Sequence, residues 1–133
     1  RTLIFLAFAI LSTPGLLRAQ DGMTAAEPFK LGTFEIDGEE VTLTVYREPG
    51  RGRLLLPFKD GTAGKETYGA GRTVDPQERP DGKLVIDFNY AYGPYCQYND
   101  NWTCTLPPFG NWLRVPIRAG EKKYPNKESE YPE

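Results

Sequence analysis

Short runs of alternating apolar and polar residues constrain the fold of this chain more than any other feature. The clearest alternation covers 33–45. The run over 53–58 is nearly all apolar, as in a strand buried on both faces, and 84–88 and 112–117 are further short strand-like runs. The run over 33–45 contains a central Asp37-Gly38 pair, which is typical of a tight hairpin turn. After residue 20 no stretch repeats its apolar residues every 3.6 positions, as an amphipathic helix does. The pattern therefore predicts an all-β domain of about six to seven short antiparallel strands, a small barrel or a sandwich, with a long irregular C-terminal loop.

The N-terminal residues have the layout of a secretory signal peptide. Arg1 precedes an apolar run over 3–11, Pro14-Gly15 ends the run, and the small residue Ala19 follows. The run is shorter than the about 20 apolar residues that span a bilayer. The alternative is an amphipathic N-terminal helix, although the run has no polar face. We therefore expect an exported protein, periplasmic or secreted, with no membrane span once the signal is removed.

These observations divide the chain into four parts. A signal peptide over 1–19 is followed by a flexible leader over 20–30, which is small, polar and interrupted by Pro28. A single β domain is predicted over 31–122. The charged residues 123–133 contain two prolines and are predicted to be a disordered tail.

The charge balance excludes some partners. The whole chain has 16 basic and 18 acidic side chains and a net charge of −2. Removing Arg1 and Arg18 with the signal gives 14 − 18 = −4. Nucleic acid is not expected as a partner, because phosphate binding requires a basic excess. An unknown small molecule or an envelope partner is expected instead, and no cofactor is indicated.

Cys96 and Cys104 are the two cysteines of the chain. In an oxidising compartment a disulfide is the default, and two buried free thiols are the alternative. The chain contains no histidine, so a zinc site would have to recruit carboxylates or a second chain. No metal site is predicted. The spacing of the cysteines does not fit a C-x-x-C redox pair.

The residue inventory also limits the possible chemistry. Without histidine, a Ser-His-Asp triad and a Cys-His pair are both excluded. The remaining acid–base candidates are carboxylates near turns: Asp60, Glu66, Asp87 and Glu121. The glycine-rich segment over 61–72 fits neither a Walker loop nor a dinucleotide fingerprint. It could present main-chain N–H groups, with Thr62, Lys65 and Arg72, to an anion, or it could simply form tight turns.

An aromatic run occupies the C-terminal half, at Tyr90, Tyr92, Tyr95, Tyr98 and Trp102. Such side chains stack on sugars, bases or apolar ligands, since they offer a large area at a low entropy cost. They could equally close one end of a small β domain.

Two blocks of the sequence resemble a known family. They read PFKDGTAGKETYGAGR over 57–72 and DFNYAYGPYCQYNDNWTCTLPPFGNWLRVPIRAGEK over 87–122. They are similar to the bacterial and archaeal family catalogued as domain of unknown function 1684. Thr73, Gly93 and Thr105 depart from its pattern. The family has no established activity, so the resemblance names the domain without explaining it.

The resemblance implies which polar residues to weigh as a site. The ligand-binding candidates are Asp60, Thr62, Arg72, Asp87, Asn89, Tyr92 and Glu121. Polar motif residues in loops suggest a site more than a core. Our hypothesis is that these loops meet at one end of the domain, with Arg72 paired to Asp87 or Glu121. The alternative is a buried structural ion pair that anchors the loops.

The sequence thus favours an exported, uncharacterised domain that acts as a non-catalytic ligand- or partner-binding module of the cell envelope. One alternative is an enzyme of unknown reaction that uses carboxylates and Arg72. The other is a split-barrel-like domain that binds a flavin or another anionic cofactor.

Overall fold

The computed structural model describes residues 3–5 and 27–124, and these form β-strands, three short 3₁₀ helices and connecting loops. The strands are β1 (Leu3–Phe5), β2 (Glu27–Ile36), β3 (Glu39–Arg47), β4 (Leu54–Phe58), β5 (Arg72–Val74), β6 (Gln77–Glu78) and β7 (Leu84–Asp87). The 3₁₀ helices cover Phe88–Tyr90, Tyr95–Gln97 and Phe109–Asn111.

The strands form two antiparallel sheets. One has the order β2-β3-β4-β5 and the other the order β1-β7-β6. The prediction of an all-β fold is confirmed. The described strands do not close into a barrel, because β2 and β5 form the edges of the first sheet and β1 and β6 those of the second.

The hairpin predicted around Asp37-Gly38 is present. Both turn residues have positive φ, 50° at Asp37 and 80° at Gly38, as the turn of a two-residue hairpin requires. β2 and β3 pair along almost their whole length on either side of this turn. The residues that alternate inwards along the hairpin are buried, namely Phe34, Ile36, Leu43 and Val45. Local turn chemistry and a period of two therefore determine this half of the fold.

The N-terminal boundaries differ from the prediction. Residues 3–5 of the predicted signal peptide form strand β1, which pairs with β7. β2 begins at Glu27, so the last residues of the predicted leader are strand, with a register shift between Pro28 and Lys30. A register shift of this kind lets a strand accommodate a proline. Residues 1–2, 6–26 and 125–133, which include the rest of the predicted signal, leader and tail, lie outside the described residues.

The start of the predicted disordered tail also makes contacts. The N–H of Lys123 donates to the carbonyl of Glu66 at 3.0 Å. The ring of Tyr124 contacts Tyr98, with centroids 5.4 Å apart. Lys123 and Tyr124 thus continue the contacts of the β domain.

The core lies between the sheets and the C-terminal loop, with Phe58 and Phe88 meeting edge to face at 5.1 Å at its centre. Pro57 lies within β4 and opposite Thr73 of β5. β4 pairs with β3 only at Leu54 and Leu55. By Pro57, then, no ladder bond to β3 requires the N–H that proline lacks.

The strand predicted over 112–117 is not formed. Its alternation is correct, since Leu113, Val115 and Ile117 are buried, and it runs beside residues 59–61. The N–H of Leu113 donates to the carbonyl of Lys59 at 2.7 Å. The N–H of Gly61 then donates to the carbonyl of Val115 at 3.1 Å, and the N–H of Ile117 donates to the Asp60 side chain at 2.7 Å. The segment is thus an incomplete strand that ends on a carboxylate.

Candidate functional site

The guanidinium of Arg72, the first residue of β5, is the centre of a buried hydrogen-bond network. Nη1 donates to the carbonyls of Ala119 at 2.6 Å and Glu121 at 3.1 Å. Nη2 donates to the carbonyl of Ile117 at 2.7 Å and lies 3.5 Å from Asp60 Oδ1. Arg72 is only 2% exposed, and Nε is buried without a hydrogen-bond partner in the described part of the chain. Arg72 thus ties three carbonyls of the C-terminal loop to the first sheet.

Asp60 supplies the negative charge of this network. Its Oδ2 accepts from the main-chain N–H of Thr62 at 3.1 Å, from the Thr62 hydroxyl at 2.7 Å and from the N–H of Ile117. The Thr62 hydroxyl also lies 2.9 Å from that of Thr67. Burial lowers the pKa of Arg72, and the nearby Asp60 carboxylate opposes this shift. Both carboxylate oxygens of Asp60 and both terminal nitrogens of Arg72 therefore have hydrogen-bond partners.

The hypothesis that Arg72 pairs with Asp87 or Glu121 is wrong in its partner, because the ion pair is made with Asp60. Glu121 reaches Arg72 through its main-chain carbonyl. Its carboxylate accepts from the N–H of Gly93 at 2.6 Å and from Gln97 Nε2 at 3.4 Å. The Glu121 carboxylate therefore anchors the aromatic loop instead.

The other candidates bond elsewhere. Asp87 Oδ1 accepts from the N–H of Asn89 at 3.0 Å and from its side-chain amide at 2.6 Å, which caps the first 3₁₀ helix. The Tyr92 hydroxyl donates to Asp75 Oδ1 at 2.9 Å. Burial and then this bond raise the pKa of Tyr92 to about 12. Of the candidates, Asp60, Thr62 and Arg72, with the main chain of Glu121, share one network, whereas Asp87, Asn89 and Tyr92 use other partners.

Two buried amides, which sequence reasoning did not single out, hold the loops that carry the aromatic residues. Asn111 is fully buried between β3 and β4 where these strands separate. Its Nδ2 donates to the carbonyls of Thr44 at 2.9 Å and Pro57 at 2.8 Å, and its Oδ1 accepts from the N–H of Thr44 at 2.8 Å. Gln97, 2% exposed, likewise holds its loop, because its Nε2 donates to the Glu121 carboxylate. A polar residue inside an aromatic block is the one sequence signal that could have identified them.

The large hydrophobic side chains that are exposed in the described part of the chain all lie in one segment, 90–112, here called the aromatic segment. They are Tyr90 (77% exposed), Tyr95 (72%), Trp102 (56%), Leu106 (58%), Phe109 (81%) and Trp112 (39%). The question whether these aromatics form core or surface is therefore answered for Tyr90, Tyr95 and Trp102, which are on the surface. Tyr92 and Tyr98 are half-buried.

Short 3₁₀ helices present two of these rings. The second places Tyr95 outside and Cys96 and Gln97 inside, and the third places Phe109 outside and Asn111 inside. Each of these two rings is thus two residues from a buried amide that fixes its turn.

The exposed rings form two contacting pairs. A disulfide between Cys96 and Cys104, whose Cα atoms are 6.0 Å apart, closes the loop that carries Trp102. Trp102 contacts Tyr95 with ring centroids 5.3 Å apart and planes inclined by 35°. The disulfide alternative for the cysteines is confirmed.

The second pair is Phe109 and Trp112, with centroids 4.6 Å apart. Trp112 Nε1 donates to the carbonyl of Pro107 at 2.9 Å, and Lys59 Nζ lies 4.5 Å from the centre of its ring. One ring of this pair is therefore already engaged by a cation of the chain itself.

Charged residues are scarce within the segment of the chain that carries the exposed rings. No lysine or arginine occurs between Asp87 and Trp112, and the acidic residues there are Asp87 and Asp100. Within residues 3–5 and 27–124, no cluster of three or more histidine, cysteine, aspartate or glutamate side chains is arranged to hold a metal ion.

A known protein family matches most of this chain. The family described as protein of unknown function (DUF1684) matches residues 17–122. The chain belongs to this family. The resemblance inferred from the two sequence blocks is confirmed. The DUF1684 match includes both blocks, the buried Arg72 network and the aromatic segment, but not strand β1.

A solved structure is also similar to this chain. It is the solution NMR structure of an uncharacterized protein of Haloarcula marismortui, with 35% sequence identity and a TM-score of 0.63. The similarity covers 73% of this chain and 56% of that protein, so this chain matches little more than half the length of its relative. A comparison with curated proteins found no match.

Proposed function

We propose that this DUF1684 domain is a non-catalytic binding module of the cell envelope and that the aromatic segment contacts its ligand or partner. One observation carries the proposal. The six large hydrophobic side chains exposed in the described residues are gathered in 23 consecutive positions, 90–112. Single exposed apolar residues are ordinary, but a concentration of them typically marks an interaction surface.

The way these rings are held supports binding. Tyrosine and tryptophan are enriched where proteins bind their partners. Here buried Gln97 and Asn111, with the disulfide, fix the turns that present the rings. A surface that is already ordered loses little conformational entropy on binding. The aromatic segment is therefore built as a prepared contact surface.

The buried Arg72 network supports a structural role for the residues that an enzyme or a flavin site would have used. An anionic ligand would have to displace three main-chain carbonyls and Asp60 from a guanidinium that is 2% exposed. Removing such a bonded charge from its partners is expensive. The same arrangement makes Arg72 inaccessible to a substrate or a flavin.

Location in the envelope rests on two features. The sequence predicts a signal peptide over 1–19, and disulfides persist mainly in oxidising compartments outside the cytosol. In the described residues, no helix is long and apolar enough to cross a membrane. We therefore propose an exported protein that is periplasmic or secreted.

Co-sedimentation tests the proposal. The purified chain is mixed with the envelope fraction of its source organism and centrifuged. The wild type and an Arg51→Ala control, altered at an exposed side chain outside the aromatic segment, should sediment with the fraction. A Tyr95→Ala/Trp102→Ala/Phe109→Ala variant with an unchanged circular dichroism spectrum should stay in solution. Equal sedimentation of this variant, or none by the wild type, would contradict the proposal.

A further inference from the structure

We propose that the Tyr95–Trp102 pair is a stacking platform for a neutral polysaccharide. This inference rests on the proposed function and names its ligand class.

The shape of the pair favours a ligand that remains half in water. The two side chains are 72% and 56% exposed, and their rings are in tilted contact with centroids 5.3 Å apart and planes inclined by 35°. They therefore form a surface rather than a cavity. A wholly apolar small molecule needs a concave site that buries most of its surface. A pyranose ring differs, because its C–H face can cover an aromatic ring while its hydroxyls stay hydrated.

The scarcity of charged residues in the segment that carries the pair argues against charged ligands. Nucleic acids and other phosphate-bearing polymers require lysine or arginine along the strand, and none occurs over 87–112. Quaternary ammonium ligands are typically held in cages of aromatic rings, whereas Tyr95 and Trp102 form a single contacting pair. At the second pair, Lys59 already lies over Trp112. A neutral ligand therefore fits the first pair best.

The turn that joins the two rings supplies polar groups suited to hydroxyls. Asn99 Oδ1 accepts from the N–H of Asn101 at 2.8 Å, and the Asn99 carbonyl accepts from the N–H of Trp102 at 3.3 Å. These bonds fix the turn and leave the exposed side chain of Asn101 beside Trp102. An amide both donates and accepts, as a sugar hydroxyl does. Trp102 and the Asn101 amide thus lie within one disulfide-closed loop, and Tyr95 immediately precedes Cys96 at its start.

Native affinity electrophoresis tests the inference. The intact purified chain is run through gels containing hydroxyethyl cellulose, laminarin, dextran or mannan, with alginate as an anionic comparator. We expect at least one neutral polymer to retard the wild type. Trp102→Ala and Tyr95→Ala should each weaken the derived affinity about tenfold or more, as expected for the loss of one stacked ring. Arg51→Ala, altered at an exposed side chain outside the aromatic segment, is the control and should bind like the wild type.

The possible results separate the two proposals. If the wild type sediments with the envelope fraction but no neutral polymer retards it, the polysaccharide inference is wrong and the binding function stands. Retardation that Trp102→Ala leaves unchanged, or retardation by alginate alone, also overturns the inference. A concentration-dependent dimer in light scattering that Trp102→Ala abolishes would assign the pair to contact between copies of the chain. If the wild type neither sediments with the envelope nor is retarded, both proposals fail.

Discussion

Replacing Arg72 with alanine should strongly destabilise the domain. The substitution removes the donor shared by the carbonyls of Ile117, Ala119 and Glu121 and leaves the carboxylate of Asp60 buried without its counter-charge. It also opens a void where a large, fully buried side chain packed against the core. The C-terminal loop loses its principal tie to the first sheet.

The expected loss follows from the burial of the pair. Removing one partner of a buried ion pair costs about 3–5 kcal/mol, mainly because the other charge stays buried and unpaired. For a domain of this size each kcal/mol lowers the melting temperature by about 4–8 °C. A fall of about 12 °C or more is therefore expected. Since small domains are stable by only about 5–15 kcal/mol, the variant should be close to unfolding at physiological temperature.

Urea denaturation monitored by tryptophan fluorescence and by circular dichroism measures this loss. Arg118→Ala is the matched control, because Arg118 also pairs with a carboxylate, Glu66 at 3.3 Å, but with a side chain that is 66% exposed. Exposed pairs contribute about 0–1 kcal/mol. If Arg72→Ala lost no more stability than Arg118→Ala, the structural account of Arg72 would be wrong. If it then also failed to sediment with the envelope fraction, a binding role for Arg72 would return.

Three further perturbations test separate parts of the fold. Cys104→Ser should lower the free energy of unfolding by about 2–3 kcal/mol in urea titrations, because it opens a short covalent loop; no change on reducing the wild type would contradict this. Gly71→Ala should cost several kcal/mol more than Gly50→Ala, since both have positive φ but only at Gly71 would a Cβ lie 2.6 Å from the carbonyl oxygen of Phe58. Equal losses would refute the steric argument. Tyr92, whose pKa is raised to about 12, favours the folded state fully below pH 10, and this contribution disappears as the pH rises through about 12. Tyr92→Phe should therefore show a smaller loss of stability between pH 10 and 12, and a profile identical to the wild type would argue against the shift.

The parts of the fold that the sequence predicts well are those set by neighbouring residues. Asp37-Gly38 requires positive φ, and the alternation on either side selects the buried face, so the β2–β3 hairpin follows from a short stretch of chain. The alternation over 112–117 likewise identified the correct buried side chains. It did not show that the N–H of Ile117 would bond to the Asp60 carboxylate instead of a main-chain carbonyl. The local sequence pattern predicts which side chains are buried more reliably than it predicts which strands pair.

The partner of Arg72 depended on long-range contacts. Asp60, Asp87 and Glu121 are all motif carboxylates near turns, and nothing in their spacing separates them. The choice is made by the passage of residues 111–117 beside 59–61, which brings the N–H of Ile117 and the guanidinium to the same carboxylate. This contact joins residues far apart in the chain, so it follows from the fold and not from the pattern.

The exposure of the aromatics was undecidable from composition for a related reason. The same tyrosines and tryptophans could close the domain or lie outside it, and the outcome depends on which neighbour is buried. Asn111 fills the gap between β3 and β4 with three hydrogen bonds, and this forces Phe109 and Trp112 outwards. Some of the polar residues that suggested a binding site, such as Asp60 and Arg72, therefore hold the fold together from inside. Some of the aromatic residues that suggested a core, such as Tyr95 and Trp102, lie on the surface. Because Tyr95, Trp102, Phe109 and Trp112 each lie two residues or fewer from a buried amide or a bridged cysteine, loosening an anchor such as Asn111 should weaken binding to the envelope fraction even though Asn111 itself is fully buried.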